Sequence, residues 1–178
     1  IHPSWMTRLG DECQNALKRI LKVMWNQGVI PHSFQTFHVK PLYKGKGPRS
    51  DPMRYRPIAL MCTPMKALEM ILEARLRKHL ESLKVLHPNQ SGARTGRSTL
   101  ENKLMLREII RCRKGNTVVA YIDNAKAYDM CNRELLFDQM KLFGIAGKMF
   151  RMIKEVLSNV HAQLIINGVL TDRFPLSN

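Results

Sequence analysis

The chain has 178 residues, of which 44% are apolar, so it can form one large domain or two small ones. No apolar run approaches the length of a membrane span, and no secretory signal is present, so we expect no membrane partner. The 29 Lys and Arg against 14 Asp and Glu give a net charge of +15, which predicts an anionic partner, chiefly nucleic acid. A basic protein without a polyanionic partner is the alternative.

The cysteines and histidines do not suggest a structural metal site. The four cysteines, Cys13, Cys62, Cys112 and Cys131, are far apart, and none belongs to a CxxC pair. The six histidines show no metal-binding spacing. This usage is typical of buried free thiols in a reducing compartment.

The first part of the chain is predicted to contain two helices flanking two extended segments. Apolar positions at helical spacing predict a helix over about 7–27, which Gly28 ends. Residues 34–43 have the pattern of a strand, and 57–61 form a second extended piece after a basic loop. Thr63 is a good N-cap for a long helix with one apolar face.

The second part is predicted to begin with a buried strand. Ser98 and Glu101 have the capping-box spacing for a helix that ends near Gly115. The apolar, β-branched run 117–122 then predicts a strand that is buried on both faces. Two helices and a hairpin with an Asn-Gly turn are predicted after it, over residues 132–144, 148–159 and 161–174. This order of elements is that of an α+β chain, with a composition boundary near Gly115.

A carboxylate, Asp123, ends the predicted strand. An ionised Asp there is unfavourable unless a cation or a strong donor meets it. Two-metal phosphoryl transfer uses carboxylates on rigid elements of this kind, because they hold two cations about 3.5–4 Å apart. The alternative is that Asp123 caps a turn, and Asp129 is interpreted as a cap or a salt-bridge partner.

An aromatic residue, Tyr128, follows the small Ala127. Packing in the core is the usual role of an aromatic beside a strand. In the functional interpretation the ring lies under a nucleotide sugar, where its bulk would exclude a 2′-hydroxyl. The residues alone leave both interpretations open.

Two basic loops suit contacts with phosphate groups. The first is 44–49, followed by Arg56, and the second is 90–99, which contains Arg94 and Arg97. Lys provides a point charge and Arg a planar fork of donors. Ordinary solvated turns are the alternative, although a glycine-hinged, capped loop explains the two arginines of the second loop less well.

In order along the chain, these segments resemble reverse transcriptases of non-LTR (LINE-type) retrotransposons. Each motif is modest alone, whereas four in order are specific. The segments are Leu42-Tyr43-Lys44-Gly45-Lys46-Gly47, Tyr55-Arg56-Pro57-Ile58-Ala59-Leu60, Gln90-x-Gly92-x-Arg94-x-Gly96-Arg97-Ser98-Thr99 and Ile122-Asp123-x-x-Lys126-Ala127-Tyr128-Asp129.

The resemblance implies a role for each matching residue. Asp123 would be the first of three catalytic aspartates, with the backbone carbonyl of Asn124 assisting at the metal. Tyr128 would be the sugar gate, and Lys44 and Arg56 would contact the incoming triphosphate. The residues implied to track template and primer are Gln90, Gly92, Arg94 and Arg97.

The resemblance also implies a right-hand polymerase fold, with fingers over 1–115 and the first part of the palm over 116–178. The implied partners are an RNA template, a DNA primer, a dNTP and two Mg²⁺ ions. The implied location is intracellular, in the nucleus, at sites of target-primed synthesis. The other two catalytic aspartates are expected beyond the chain, so we expect the 178 residues alone to be inactive.

Two other interpretations remain. A group II intron maturase would use the same chemistry with a different partner RNA. A decayed or domesticated polymerase domain would bind RNA or DNA without synthesis.

Overall fold

A computed structural model describes residues 8–124, 127–128, 130–158 and 160–176. The described residues form a mixed α+β structure, as predicted. The helices are α1 Asp11–Gln27, α2 Thr63–Leu83, α3 Thr99–Cys112, α4 Arg133–Leu142 and α5 Gly147–Leu157. The strands are β1 Thr36–Tyr43, β2 Tyr55–Leu60, β3 His161–Ile166, β4 Val169–Leu170 and β5 Phe174–Pro175.

Three helix ends lie where the local sequence predicts them, whereas Thr63, predicted as the N-cap of α2, is the first residue of that helix, and the Lys66 N–H donates to the Cys62 carbonyl. Gly28 ends α1 in the left-handed conformation at φ 71°, and its N–H donates to the Met24 carbonyl. The capping box of Ser98 and Glu101 is present at the start of α3. At α4, the Asn132 side chain accepts from the N–H of Leu135. These predictions are confirmed because each depends on residues within one turn of the boundary.

The sheet has the order β2-β1-β3-β4, and β5 also pairs with β3. β1 pairs antiparallel with β2 and parallel with β3, so β1 and β3 are its two central strands. The predicted hairpin is confirmed: Asn167 and Gly168, at φ 51° and 83°, connect β3 to β4. Two consecutive positive φ angles are typical of a type I′ turn.

The core lies among α1, α2 and α5, and Phe37 of β1 packs against it. Its cluster of buried side chains is rich in methionine, which fills irregular gaps well. The members are Met24, Ile30, Met65, Leu68, Leu72 and Met152. This cluster includes the face predicted for α2 near its start, whereas Leu83 at the end of α2 is exposed.

The chain divides into two compact units by its contacts: residues 1–73 with 132–178, and residues 74–131. The first unit contains the whole sheet and is assembled from two separate stretches of chain. The second contains the C-terminal part of α2 from Ala74 onward, all of α3 and the segments on either side of α3. The division into fingers over 1–115 and palm over 116–178 is a functional one and stays a prediction.

The buried strand predicted over 117–122 is wrong for the structure. Residues 116–124 adopt no regular secondary structure, and Val118 and Ile122 are 94% and 91% exposed. A strand is stable only when a neighbour satisfies its N–H and C=O groups. No described strand pairs with this segment. The apolar composition of 117–122 indicated a tendency to be buried, but it could not show whether a neighbouring strand pairs with this segment.

Two further predictions concern the surface of the molecule. No helix within the described ranges is long and apolar enough to cross a membrane. All four cysteines are free, as predicted, but Cys13, Cys112 and Cys131 are exposed rather than buried. Cys13 lies on α1 and Cys112 is the last residue of α3, and cysteine spacing does not reveal whether such positions are exposed.

Candidate nucleotide and nucleic-acid site

The turn between β1 and β2 holds the first basic loop. The Lys44 ammonium donates to the Met53 carbonyl at 2.8 Å, and the Lys44 N–H donates to the Arg54 carbonyl at 2.8 Å. Tyr43 and Tyr55 face each other across the two strands, with ring centroids 5.5 Å apart. Their hydroxyl groups donate to carbonyls within the turn. The turn is therefore closed by its own residues.

Asp51 organises the far side of this turn. Its carboxylate accepts from the Met53 N–H at 2.9 Å and from Arg54 Nε at 3.1 Å. Gly47 lies next to this pair at φ 83°, and a Cβ there would approach Arg54 Nε to 2.7 Å. The positive φ at position 47 thus favours glycine, and a larger residue there would also force the Arg54 side chain to shift.

Lys44 and Arg56, the predicted triphosphate contacts, lie at the same end of this hairpin. Arg56 on β2 is opposite Leu42 on β1. Leu42 precedes Lys44 by two residues along the chain. Arg56 is exposed, and no hydrogen bond or ion pair joins its side chain to another described residue. Of these two cations, Arg56 therefore has no partner among the described residues, whereas Lys44 bonds to a carbonyl.

The second basic loop follows α2, and Arg94 anchors it. Its Nε and Nη2 donate to the two carboxylate oxygens of Glu81 at 2.9 and 2.8 Å. Its Nη1 donates to the His87 carbonyl at 3.1 Å. The hydrogen bond from Arg94 lowers the pKa of the Glu81 carboxyl, and the same bond raises the pKa of Arg94. Both shifts have the direction expected for a charge-assisted bidentate pair.

Other bonds hold the same loop to both adjacent helices. Arg77 on α2 donates to the Thr95 hydroxyl at 3.4 Å, and the Ser91 hydroxyl donates to Asn102 on α3 at 2.9 Å. Gly96 turns the chain at φ 73° just before Arg97. The remaining residues predicted to track template and primer, Gln90, Gly92 and Arg97, are exposed.

The predicted catalytic segment is open to solvent. Asp123 and Asn124 are exposed, and the Asp123 carboxylate accepts no hydrogen bond from a described residue, so the turn-cap interpretation gains no support. Tyr128 is 95% exposed, which excludes packing in the core. Lys126 and Asp129, which belong to the same motif, lie outside the described residues.

Asp123 could hold a metal ion only as one ligand among several. Mg²⁺ is commonly bound by one or two carboxylates together with substrate phosphates. Across the described ranges, no group of three or more His, Cys, Asp or Glu side chains is placed to hold a metal. Within the part of the chain that the structure describes, Asp123 thus offers one suitable carboxylate, and no two-metal centre is completed.

The structure brings together some of the predicted residues. Lys44 and Arg56 share one hairpin end, and the four template and primer residues share one loop. Sequence reasoning missed Glu81, which holds Arg94, and Asp51, which organises the first turn. The low number of acidic residues could have identified them. In a chain with 14 acidic and 29 basic residues, an acidic residue near a basic loop is a candidate ion-pair partner for that loop.

The residues predicted to contact phosphate groups lie on these two basic loops, and comparison with known proteins gives the class of protein. Residues 44–177 match the family described as reverse transcriptase (RNA-dependent DNA polymerase). Because the match covers most of the chain, the chain belongs to the reverse transcriptase family, and the resemblance to reverse transcriptases is confirmed.

A more specific relative comes from a transposon. The chain is 24% identical over 156 residues to the transposon TX1 uncharacterized 149 kDa protein of Xenopus laevis. The match covers 86% of this chain and 12% of that protein. The chain therefore spans about one eighth of the length of this relative.

Proposed function

We propose that the chain is part of an RNA-directed DNA polymerase of a non-LTR retrotransposon. The observation that carries the proposal is the family match over residues 44–177, which begins at the basic hairpin turn and includes the second loop and Asp123. The similarity to a transposon protein favours a retrotransposon over a group II intron maturase.

In this proposal the described residues bind and orient the reactants. The 3′-oxygen of a DNA primer bonds to the α-phosphorus of a dNTP, and pyrophosphate leaves. Lys44 and Arg56 neutralise the triphosphate, while the loop with Gln90, Gly92, Arg94 and Arg97 follows template and primer. Asp123 and the Asn124 carbonyl would hold Mg²⁺, which reverse transcriptases generally use. Bound Mg²⁺ stabilises charge and aligns the reacting groups.

Polymerisation by the parent protein tests the proposal. We expect Asp123→Ala to lower RNA-templated dNTP incorporation by about a thousandfold or more, because it removes a carboxylate that acts at the reacting phosphate. Binding of template and primer should change little. Asp138→Ala is the matched control, since Asp138 is an exposed carboxylate paired with Lys141 on α4.

Three outcomes are distinguishable in that experiment. Retained synthesis by Asp123→Ala would contradict the catalytic assignment. A wild-type parent that binds RNA but incorporates no dNTP would favour the domesticated binding protein instead. A parent that neither binds nor synthesises would contradict the proposal as a whole.

The sugar gate has its own test. Tyr128→Ala should raise incorporation of ribonucleotides relative to deoxyribonucleotides, because a bulky ring no longer excludes the 2′-hydroxyl. Tyr121→Ala is the control, since Tyr121 is also exposed, at 84%, within the same segment. The ratio of kcat/KM for an rNTP and the matching dNTP measures the effect. An equal ratio for wild type and Tyr128→Ala would remove the gate from the proposal.

A further inference from the structure

The second loop contains two arginines in very different surroundings. The Arg94 side chain is only 15% exposed, and each of its three guanidinium nitrogens donates a hydrogen bond. Arg97, three residues later, is exposed, and no hydrogen bond or ion pair joins its guanidinium to a described residue; its charge contributes to the lowered pKa of Glu81 only through space, after the hydrogen bond from Arg94. Only one of the two arginines is therefore available to a ligand without breaking bonds within the protein.

We infer that Arg94 is a positioning residue, which holds this loop on α2 through Glu81, and that Arg97 is the residue that meets a nucleic-acid phosphate. This inference rests on the proposed function, because it divides the work of the loop that follows template and primer. It separates two arginines that the sequence pattern treats as equivalent.

The chemistry of the pair supports this division. A guanidinium facing a carboxylate with two parallel bonds has its positive charge locally balanced, so it attracts phosphate weakly. For Arg94 to bind phosphate, it would have to leave both Glu81 oxygens and the His87 carbonyl. That exchange would leave the Glu81 carboxylate without its main partner beside an incoming anion, which is unfavourable.

The backbone links the position of Arg94 to that of Arg97. The Arg97 N–H donates to the Arg94 carbonyl at 3.4 Å, and Gly96 redirects the chain between them. Thr95 is held to α2 by Arg77 in the same stretch. An anchor at Arg94 therefore limits where the Arg97 side chain can reach.

Salt dependence of binding separates a phosphate contact from an internal anchor. The 178-residue chain is titrated with a fluorescent RNA–DNA template–primer hybrid at several salt concentrations between 50 and 200 mM. Each phosphate contact adds about 0.7–0.9 to the magnitude of the slope of log K against log salt, where K is the binding constant. Arg97→Gln should reduce the slope by that amount. Arg111→Gln, which removes an exposed arginine paired with Glu108, is the control for charge alone.

Two double variants test Arg94 without changing the net charge. Glu81→Gln with Arg94→Gln should keep the wild-type slope and weaken binding by the same factor at each salt concentration. Glu81→Arg with Arg94→Glu restores an ion pair and should recover most of the lost affinity. Arg94→Lys keeps the charge but loses the fork, so it should weaken binding as an anchor variant does. Circular dichroism shows that each variant is folded.

Each result decides the inference. It is overturned if the double Gln variant loses as much slope as Arg97→Gln, if it binds like wild type, or if the exchanged pair recovers nothing. It is also overturned if Arg97→Gln keeps the full slope. A wild-type chain that does not bind the hybrid contradicts the proposed function itself, and then all variants behave alike. In the parent polymerase, the double Gln variant should raise KM for template–primer.

Discussion

The turn at 44–54 and the segment at 116–124 both hold residues that the proposed polymerase needs, yet they are built in opposite ways. The turn is closed by bonds among its own residues, from Lys44 to Met53 and from Asp51 to Arg54. The segment has no strand partner among the described residues, and Ile122 is 91% exposed. A functional side chain can thus be positioned by its neighbours in sequence or depend on contacts made elsewhere.

The largest expected effect is on the free energy of unfolding, when an apolar side chain of the core and one of the 116–124 segment are each truncated to Ala. Leu68→Ala removes a side chain that is 2% exposed in the core, so it should lower the free energy of unfolding by about 2–5 kcal/mol. Ile122→Ala should change it by less than about 0.5 kcal/mol, as at an ordinary surface position. Urea unfolding of both variants measures the difference. A large loss in Ile122→Ala would show that the segment is packed in solution.

An intermediate effect is expected within the turn itself. Gly45 and Gly47 both have positive φ, at 79° and 83°, so replacing either with Ala should cost about 1–2 kcal/mol. Gly47→Ala should cost more than Gly45→Ala, because only the new Cβ at position 47 meets Arg54. Thermal unfolding of the two variants provides the comparison. Equal losses would mean that the Arg54–Asp51 contact does not constrain the turn.

The smallest effect concerns a carboxyl group on α2. Burial raises the pKa of Glu69 above its ordinary value of 4.5, and Lys66 opposes the shift only partly. A raised carboxyl pKa means that stability is fully present below pH 4.5 and is lost as pH rises through the folded-state pKa. Glu69→Gln should therefore raise Tm at pH 7 and have little effect below pH 4.5.

Asp172→Asn is the control for that measurement, since it removes a carboxylate at an exposed position. It should give no comparable gain at pH 7. A Tm for Glu69→Gln that differs from wild type equally at both pH values would show that the buried charge is not the cause.

Elements whose signals lie within a few residues could be predicted from the sequence. The capping box that starts α3 and the Asn167-Gly168 turn each specify their own geometry. The helical spacing of α1 and the Gly28 stop are of the same kind. Such signals are reliable because the interacting groups are joined by a short stretch of chain, and little else can compete with them.

What sequence could not provide is the identity of distant partners. The parallel pairing of β1 with β3 joins Thr36 to His161, and no local pattern specifies it. Arg94 and Glu81 are 13 residues apart, and only the path of the loop brings them together. The run 117–122 failed as a prediction for the same reason, since a strand is a property of two segments rather than one.

The discontinuous first unit has a consequence for how the protein acquires its structure during synthesis. Met152 belongs to the same core cluster as Met24 and Met65, so that core is incomplete until α5 has been made. One edge of β1 stays open until β3 emerges, about 120 residues later in the chain. Contacts of such long sequence separation slow folding. On the ribosome, apolar surface therefore stays exposed on the elements made first while the entire second unit is translated. These elements are α1, β1, β2 and the start of α2.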